Sequence, residues 1–180
     1  MKSFETKNLI IRKFRIEDVP AVHKNLATEK KLTECIGYHM HKSIHETEVM
    51  VESFIKESEM NEFVWAIEDK ASSESIGFIN ASERSDINKV CKFKFGIALD
   101  KVYSGYMEES LKVIIDYLLN EENFNVIVSE FYDGYKELSE IKAKILENVG
   151  MTKEAVLHNR KINNKTGLSE NKIIYSIIKK

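Results

Sequence analysis

Proline occurs once in 180 residues, tryptophan once, cysteine twice and glycine 7 times. So little proline and glycine leaves no room for a linker or a low-complexity tract, and no internal repeat is visible. One domain spanning residues 1–180 is expected, long enough to bury a real core. Cys35 and Cys91 lie far apart and fit no metal-ligand spacing, so neither a disulfide framework nor a zinc site is expected. No run approaches the eighteen or so apolar residues of a membrane span. The opening MKSFETKNLI lacks the apolar stretch of a secretory signal, and the cytoplasm is the expected compartment. A net charge of −2 with pI near 6.2 gives no basic footprint for nucleic acid. What remains is ordinary globular material, 43% apolar and 31% charged.

Against that background one stretch stands out, CKFKFGIALDKVYSGYMEESLKVIIDYLL from Cys91 to Leu119. Cys91, Phe93, Phe95, Ile97 and Leu99 alternate with Lys92, Lys94, Gly96 and Ala98, which is the period of a strand with one apolar face. Met107, Leu111, Ile114, Ile115 and Leu118 then recur at helical spacing. The change of period falls within Lys101–Gly105, so a strand runs through a tight turn into a helix of about four turns. Tyr103, Ser104 and Gly105 sit where that helix begins. Its free backbone N–H groups and positive dipole end form an anion site there.

The rest of the chain supplies a sheet and its cover. Leu9–Phe14 reads as a strand and Glu17–Ala27 as a helix with Pro20 in its first turn. Thr28–Lys42 is polar and is expected to be a loop. Ser43 and Glu46 form a capping box opening a helix to about Glu59. Strands are expected at Phe63–Ile67 and Ile76–Ala81, the latter interrupted by Gly77. With a polar link over Ser82–Lys89, these two and the Cys91 strand form an antiparallel meander. Val126–Val128 is the next strand, parallel to its predecessor because a helix joins them. A helix over Glu137–Asn148 buries Leu138, Ile141, Ile145 and Val149 and stops at Gly150. Glu154–Arg160 and Ile173–Ile178, joined by a turn at Asn163–Gly167, complete a mixed, mostly antiparallel α/β sheet of about seven strands, with about four helices on both faces.

FGIALDKVYSGYMEESLKVIIDYLL resembles the acetyl-CoA-binding core of the GNAT N-acetyltransferases, in the variant of the RimJ/RimL ribosomal-protein N-terminal acetyltransferases. Gly105, Tyr106, Met107, Glu109 and Leu111 match that motif, whereas Tyr103 replaces its first loop glycine, Asp100 its Gln/Arg and Glu108 its Thr. Two more stretches are similar to the same branch: Glu5–Arg12 to its opening E-T-x-R-L-x-L-R, and Ile145–Met151 to its V-L-E-K-x-G-F. The resemblance spans almost the whole chain and implies the GNAT topology.

It also implies a function: transfer of an acetyl group from acetyl-CoA, a cosubstrate, to a primary amine by direct attack in a ternary complex, without a metal. The acceptor would be a small amine or a protein N-terminus, and the protein a monomer or homodimer. Phe95, Ile97, Ala98 and Leu99 would align the pantetheine arm, and Tyr103, Ser104, Gly105, Tyr106 and Met107 the diphosphate. Tyr38, His39 and Lys94 would touch the acceptor, with the lysines of this face favouring an acidic one. Lys94 stands where the family often has a Glu base, and Ser139 and Lys142 stand in place of Asn-x-x-Ser. Tyr135, with Ser139 beside it, is the candidate acid for the leaving thiolate. Glu34, Glu83 or a water is the candidate base. The alternative reading is a non-catalytic descendant of the fold that binds a ligand or a protein. In that case the Tyr103 ring or the Glu108 carboxylate would fill the phosphate site.

Overall fold

The computed structural model describes residues 1–60, 62–163 and 166–179, without the side chains of 82 and 83. The strands are β1 (Phe4–Glu5), β2 (Leu9–Arg12), β3 (Val64–Asp69), β4 (Glu74–Ser85), β5 (Val90–Ile97), β6 (Val126–Tyr132), β7 (Thr152–Ile162) and β8 (Ser169–Ile178). They form one sheet in the order β1-β2-β3-β4-β5-β6-β8-β7. Only the β5/β6 pair is parallel. The helices are α1 (Val19–Val22, continued by a π turn to Ala27), α2 (Lys30–Cys35), α3 (Ile44–Glu59), α4 (Tyr106–Asp116, with a π turn to Glu121) and α5 (Lys136–Asn148).

Alternation along the central strands builds two layers of core. From β3, Trp65 and Ile67 join Phe93, Phe95, Met107, Leu111, Ile114 and Leu146 on the α4/α5 face. Val64 and Ala66 of the same strand join Phe14, Val22, Leu26, Val51 and Phe54 on the α1/α3 face. A strand buried on both faces is apolar on both, and Val64–Ile67 of β3 are all buried apolar residues. The meander and the parallel strand–helix–strand unit form as the sequence predicts.

Four features differ from expectation. The sheet has an eighth strand, Phe4–Glu5, which pairs with Ile10 and Ile11 through a turn that Thr6 closes onto Leu9. β4 runs unbroken to Ser85. Beside Gly77 its register with β3 shifts, from Ile67/Gly77 to Glu68/Ser75, without ending the strand; a Cβ at Gly77 would lie 2.8 Å from the Gly96 carbonyl oxygen, so the residue permits close strand approach. α4 has 11 residues, about three turns, before it widens into the π turn. Finally, α2 forms inside the stretch read as a polar loop, because Leu32, Cys35 and Ile36 fall on one face and are buried. Within the turn at Asn163–Gly167, residues 164 and 165 lie outside the described residues.

Candidate functional site

The parallel pairing of β5 with β6 runs from Val90/Val126 to Phe93/Ser129 and stops there, although β5 continues to Ile97 and β6 to Tyr132. The two strands part. The Ala98 N–H donates to the Ile76 carbonyl on the β4 side at 2.8 Å. Backbone polar groups alternate in direction along a strand, so those of Phe95 and Ile97 face the opposite side, where β6 has departed. Phe95 and Ile97 therefore present a strand edge that no neighbouring strand covers, with the Phe95 carbonyl met by Lys142 Nζ at 3.5 Å. Ala98 and Leu99 do not: the Ala98 N–H is taken, and their carbonyls accept Lys101 and Val102 in the turn that follows.

That turn delivers the chain to α4. Gly105 caps the helix in the left-handed region at φ 78°, where a Cβ would meet no neighbour within 4 Å, so backbone conformation alone calls for glycine. The Tyr106 N–H is held by Ser104 Oγ at 3.2 Å. Those of Gly105, Met107 and Glu108 have no acceptor among the described residues and form the positive end of the helix. Beside them a groove of about 370 Å³ lies between α4 and α5, lined by Val102, Tyr103, Gly105, Glu108, Glu137 and Glu140 among others. The Tyr103 ring is 77% exposed, with its hydroxyl 3.5 Å from Glu137. Glu108 turns one oxygen to Asn148 at 3.3 Å, and its other is buried without a partner. Neither side chain fills the groove.

The groove leads inward past Val102, Ile141 and Ile145 to a slot of about 20 Å³ against Phe95 and Ile97, room for about one water. Two titratable heads line the slot, Cys35 from α2 and Lys142 from α5. Burial pushes the Cys35 thiol up, so it stays protonated. Lys142 Nζ lies 3.5 Å from the Phe95 carbonyl oxygen and 4.4 Å from the Phe95 ring centroid. Burial lowers its pKa. Lys142 entered the sequence reading only as the residue in place of a Ser. Its position three before Ile145 and four after Leu138, on the buried stripe of α5, is the signal that finds it.

Tyr135, which N-caps α5, donates its hydroxyl to Glu34 Oε2 of α2 at 2.5 Å. That bond pushes the phenol up to about 12 and holds Glu34 below the usual carboxylate range, with Lys30 assisting. The Ser139 hydroxyl bonds the carbonyls of Tyr132 and Tyr135, at 3.1 and 2.9 Å. It ties down the start of α5. The side chain of Glu83 lies outside the described residues.

On the other side of Leu32, which also lines the slot, is an apolar cavity of about 270 Å³. Phe14, Leu26, Met50, Phe54 and Phe78 wall it, and Tyr38 and His39 stand among its lining residues. Lys94 Nζ sits 5.7 Å from the Tyr38 ring centroid. Of the three residues expected at an acceptor, Tyr38 and His39 thus line the cavity and Lys94 stands beside Tyr38. His41, also lining it, bonds Thr47 at 2.9 Å, and burial lowers its pKa.

The family model of the acetyltransferase (GNAT) domain matches residues 8–152. No curated protein matches the sequence. Among solved structures, the ribosomal-protein-S5-alanine acetyltransferase from Vibrio fischeri superposes with TM-score 0.82 at 18% identity, over 99% of this chain and 97% of that one. Spermidine N-acetyltransferase from Vibrio cholerae, in complex with CoA and spermine, gives 0.78 at 19% identity over 97% of each chain. The ribosomal L7/L12 α-N-protein acetyltransferase RimL, in complex with coenzyme A, gives 0.80 at 16% identity over 98% of each. The matched span holds the parted strands, the α4 turn and all of α5, and this chain belongs to the GNAT acetyltransferase family.

Proposed function

We propose that this acetyltransferase takes the acetyl group of acetyl-CoA and passes it to a primary amine with an apolar body, by direct attack while both are bound. One observation carries the reading: β5 and β6 part after Phe93/Ser129 and leave the polar groups of Phe95 and Ile97 on an open edge. An extended pantetheine arm adds to such an edge as a further strand. From there the groove runs to the free N–H groups of Gly105, Met107 and Glu108, which suit a diphosphate.

In the reaction the amine nitrogen attacks the thioester carbon, a C–N bond forms, the C–S bond breaks and the thiolate leaves with the electron pair. The attacking nitrogen must lose a proton and the sulfur gains one. A phenol pushed up to about 12 is too weak an acid to protonate a thiolate unaided. Glu34 and Tyr135 adjoin Cys35 of the slot without lining it; acting as a unit from there, Glu34 accepts the proton of the nitrogen and passes it to Tyr135 along their 2.5 Å bond as Tyr135 releases its own to sulfur.

The cavity beyond Leu32 supports this acceptor class. A cavity of about 150 Å³ accommodates benzene, so about 270 Å³ takes a phenylalkyl or branched aliphatic group. No carboxylate is among its lining residues, so the second ammonium of a polyamine would be buried without a counter-ion.

Calorimetric titration with acetyl-CoA, and desulfo-CoA as control, tests the donor. A thiol-release assay over phenylethylamine, peptides with N-terminal Leu or Phe, and spermidine tests the acceptor. Micromolar donor binding and turnover of the apolar amines ahead of spermidine are expected. No binding at millimolar acetyl-CoA overturns the reading.

A further inference from the structure

Lys142 has no part in the proton path through Glu34 and Tyr135. It is 7% exposed, on α5, with its amine between the rings of Phe95 and Phe131, at 4.4 and 5.6 Å from their centroids. Its one hydrogen bond among the described residues is to the Phe95 carbonyl oxygen, 3.5 Å away on the open edge. The titratable group facing it is the Cys35 thiol from α2, and among the described residues no carboxylate pairs with it. A lysine held this way is unusual, because a buried ammonium is ordinarily paired. Burial here favours the neutral amine, which carries a nucleophilic lone pair.

We propose that Lys142 is itself an acetyl acceptor: with acetyl-CoA in the groove, its ε-amine attacks the thioester lying along the Phe95–Ile97 edge, and the protein acetylates itself. The inference rests on the donor-binding reading above. The Lys142 nitrogen forms a bond to the acetyl carbon, the C–S bond breaks, and the amine proton passes to the departing thiolate. The products are one acetamide on Lys142 and free CoA thiol. The surroundings favour that product. An acetamide carries no charge to bury, and its N–H can keep the bond to the Phe95 carbonyl. It also occupies the edge on which the next arm must align. Each molecule is therefore modified once, and modification shuts its own donor site. Lysines on the surface differ in kind: Lys172, for instance, is held charged by Glu130 at 2.9 Å.

Intact-mass spectrometry of the full chain incubated with acetyl-CoA reads the step directly, without an amine acceptor. The expected result is a single gain of about 42 Da, one acetyl for one hydrogen. Peptide mapping should place it on Lys142, with a first-order rate independent of protein concentration. Desulfo-CoA and the variants Lys142→Met and Lys142→Arg should give no gain. Calorimetry on the same sample separates this inference from the reading beneath it. Acetyl-CoA that binds while Lys142 stays unmodified, or acetylation confined to surface lysines at a rate proportional to protein concentration, overturns self-acetylation and leaves the donor reading standing. Acetyl-CoA that does not bind removes both.

Discussion

The carboxylate of Glu109 holds both polar ends of Asn8: one oxygen accepts the backbone N–H at 2.9 Å and the other the side-chain amide at 2.8 Å. This pair ties the first turn of α4 to the start of β2, across 101 residues of sequence. Burial pushes the Glu109 carboxyl up, but bonds from Thr6 and Asn8 and the charge of Lys7 outweigh it and hold it below the usual range. Glu109→Ala should cost about 1.5–3 kcal/mol, the worth of hydrogen bonds to a charged group. With its folded pKa depressed, the contribution is fully present above the unfolded carboxylate value near ~4.3 and is lost as pH falls through the folded one. Urea unfolding of wild type and variant at pH 7 and near pH 3 should therefore show a gap that narrows in acid.

The free helix end that suits a phosphate has more acid than base beside it. Glu108, Glu137 and Glu140 line the groove against one cation, Lys144, and one Glu108 oxygen is buried without a partner among the described residues. At separations of several ångströms, each carboxylate weakens diphosphate binding by about 0.5–1 kcal/mol. Glu108→Gln should tighten acetyl-CoA binding roughly two- to fivefold at low salt, less at physiological ionic strength, where the charges are screened. Calorimetry at two salt concentrations checks this. An unchanged affinity would place the diphosphate away from α4.

Much of this arrangement is written locally, and what is local was legible. The alternation of Cys91, Phe93, Phe95 and Ile97, the change of period after Asp100 and the Ser43 cap on the Glu46 N–H all depend on neighbours in sequence. α2 escaped because six residues carry too few turns for a period, and its start has no side-chain cap. The site was legible as a place rather than as a mechanism. Tyr135 stood out as a phenol near the next helix, but Glu34, which engages it, comes from 101 residues away. Ser139 looked like a donor to substrate, and only the ends of β6 and α5 show its hydroxyl engaged by two carbonyls.

On the proposed proton path through Tyr135 and Glu34, their substitutions should not add. Tyr135→Phe and Glu34→Gln are each expected to lower kcat about a hundredfold, with KM for acetyl-CoA nearly unchanged. The double variant should fall no further than either single one. Thiol release with an apolar amine measures all four proteins. Two small, additive losses would make the pair only a tie between α2 and α5.

Lys142 also leaves a mark on stability, and its sign is fixed by burial. Its folded pKa lies below the unfolded lysine value of about 10.4. Between the two values the unfolded chain binds the extra proton, so stability rises with pH across that window, and the cost of burying the amine disappears only above the unfolded value. Lys142→Met keeps a similar volume among Phe95, Phe131 and Ile145 without a charge to desolvate. It should raise stability at pH 7 by on the order of 1–3 kcal/mol and flatten the rise toward pH 10. Urea unfolding at pH 7, 8.5 and 10 reads both effects. If the variant is less stable at every pH, the two aromatic rings compensate the ammonium and the amine stays charged. The nucleophile needed for self-acetylation would then be absent, so the slope of stability against pH and the mass gain on acetyl-CoA must stand or fall together.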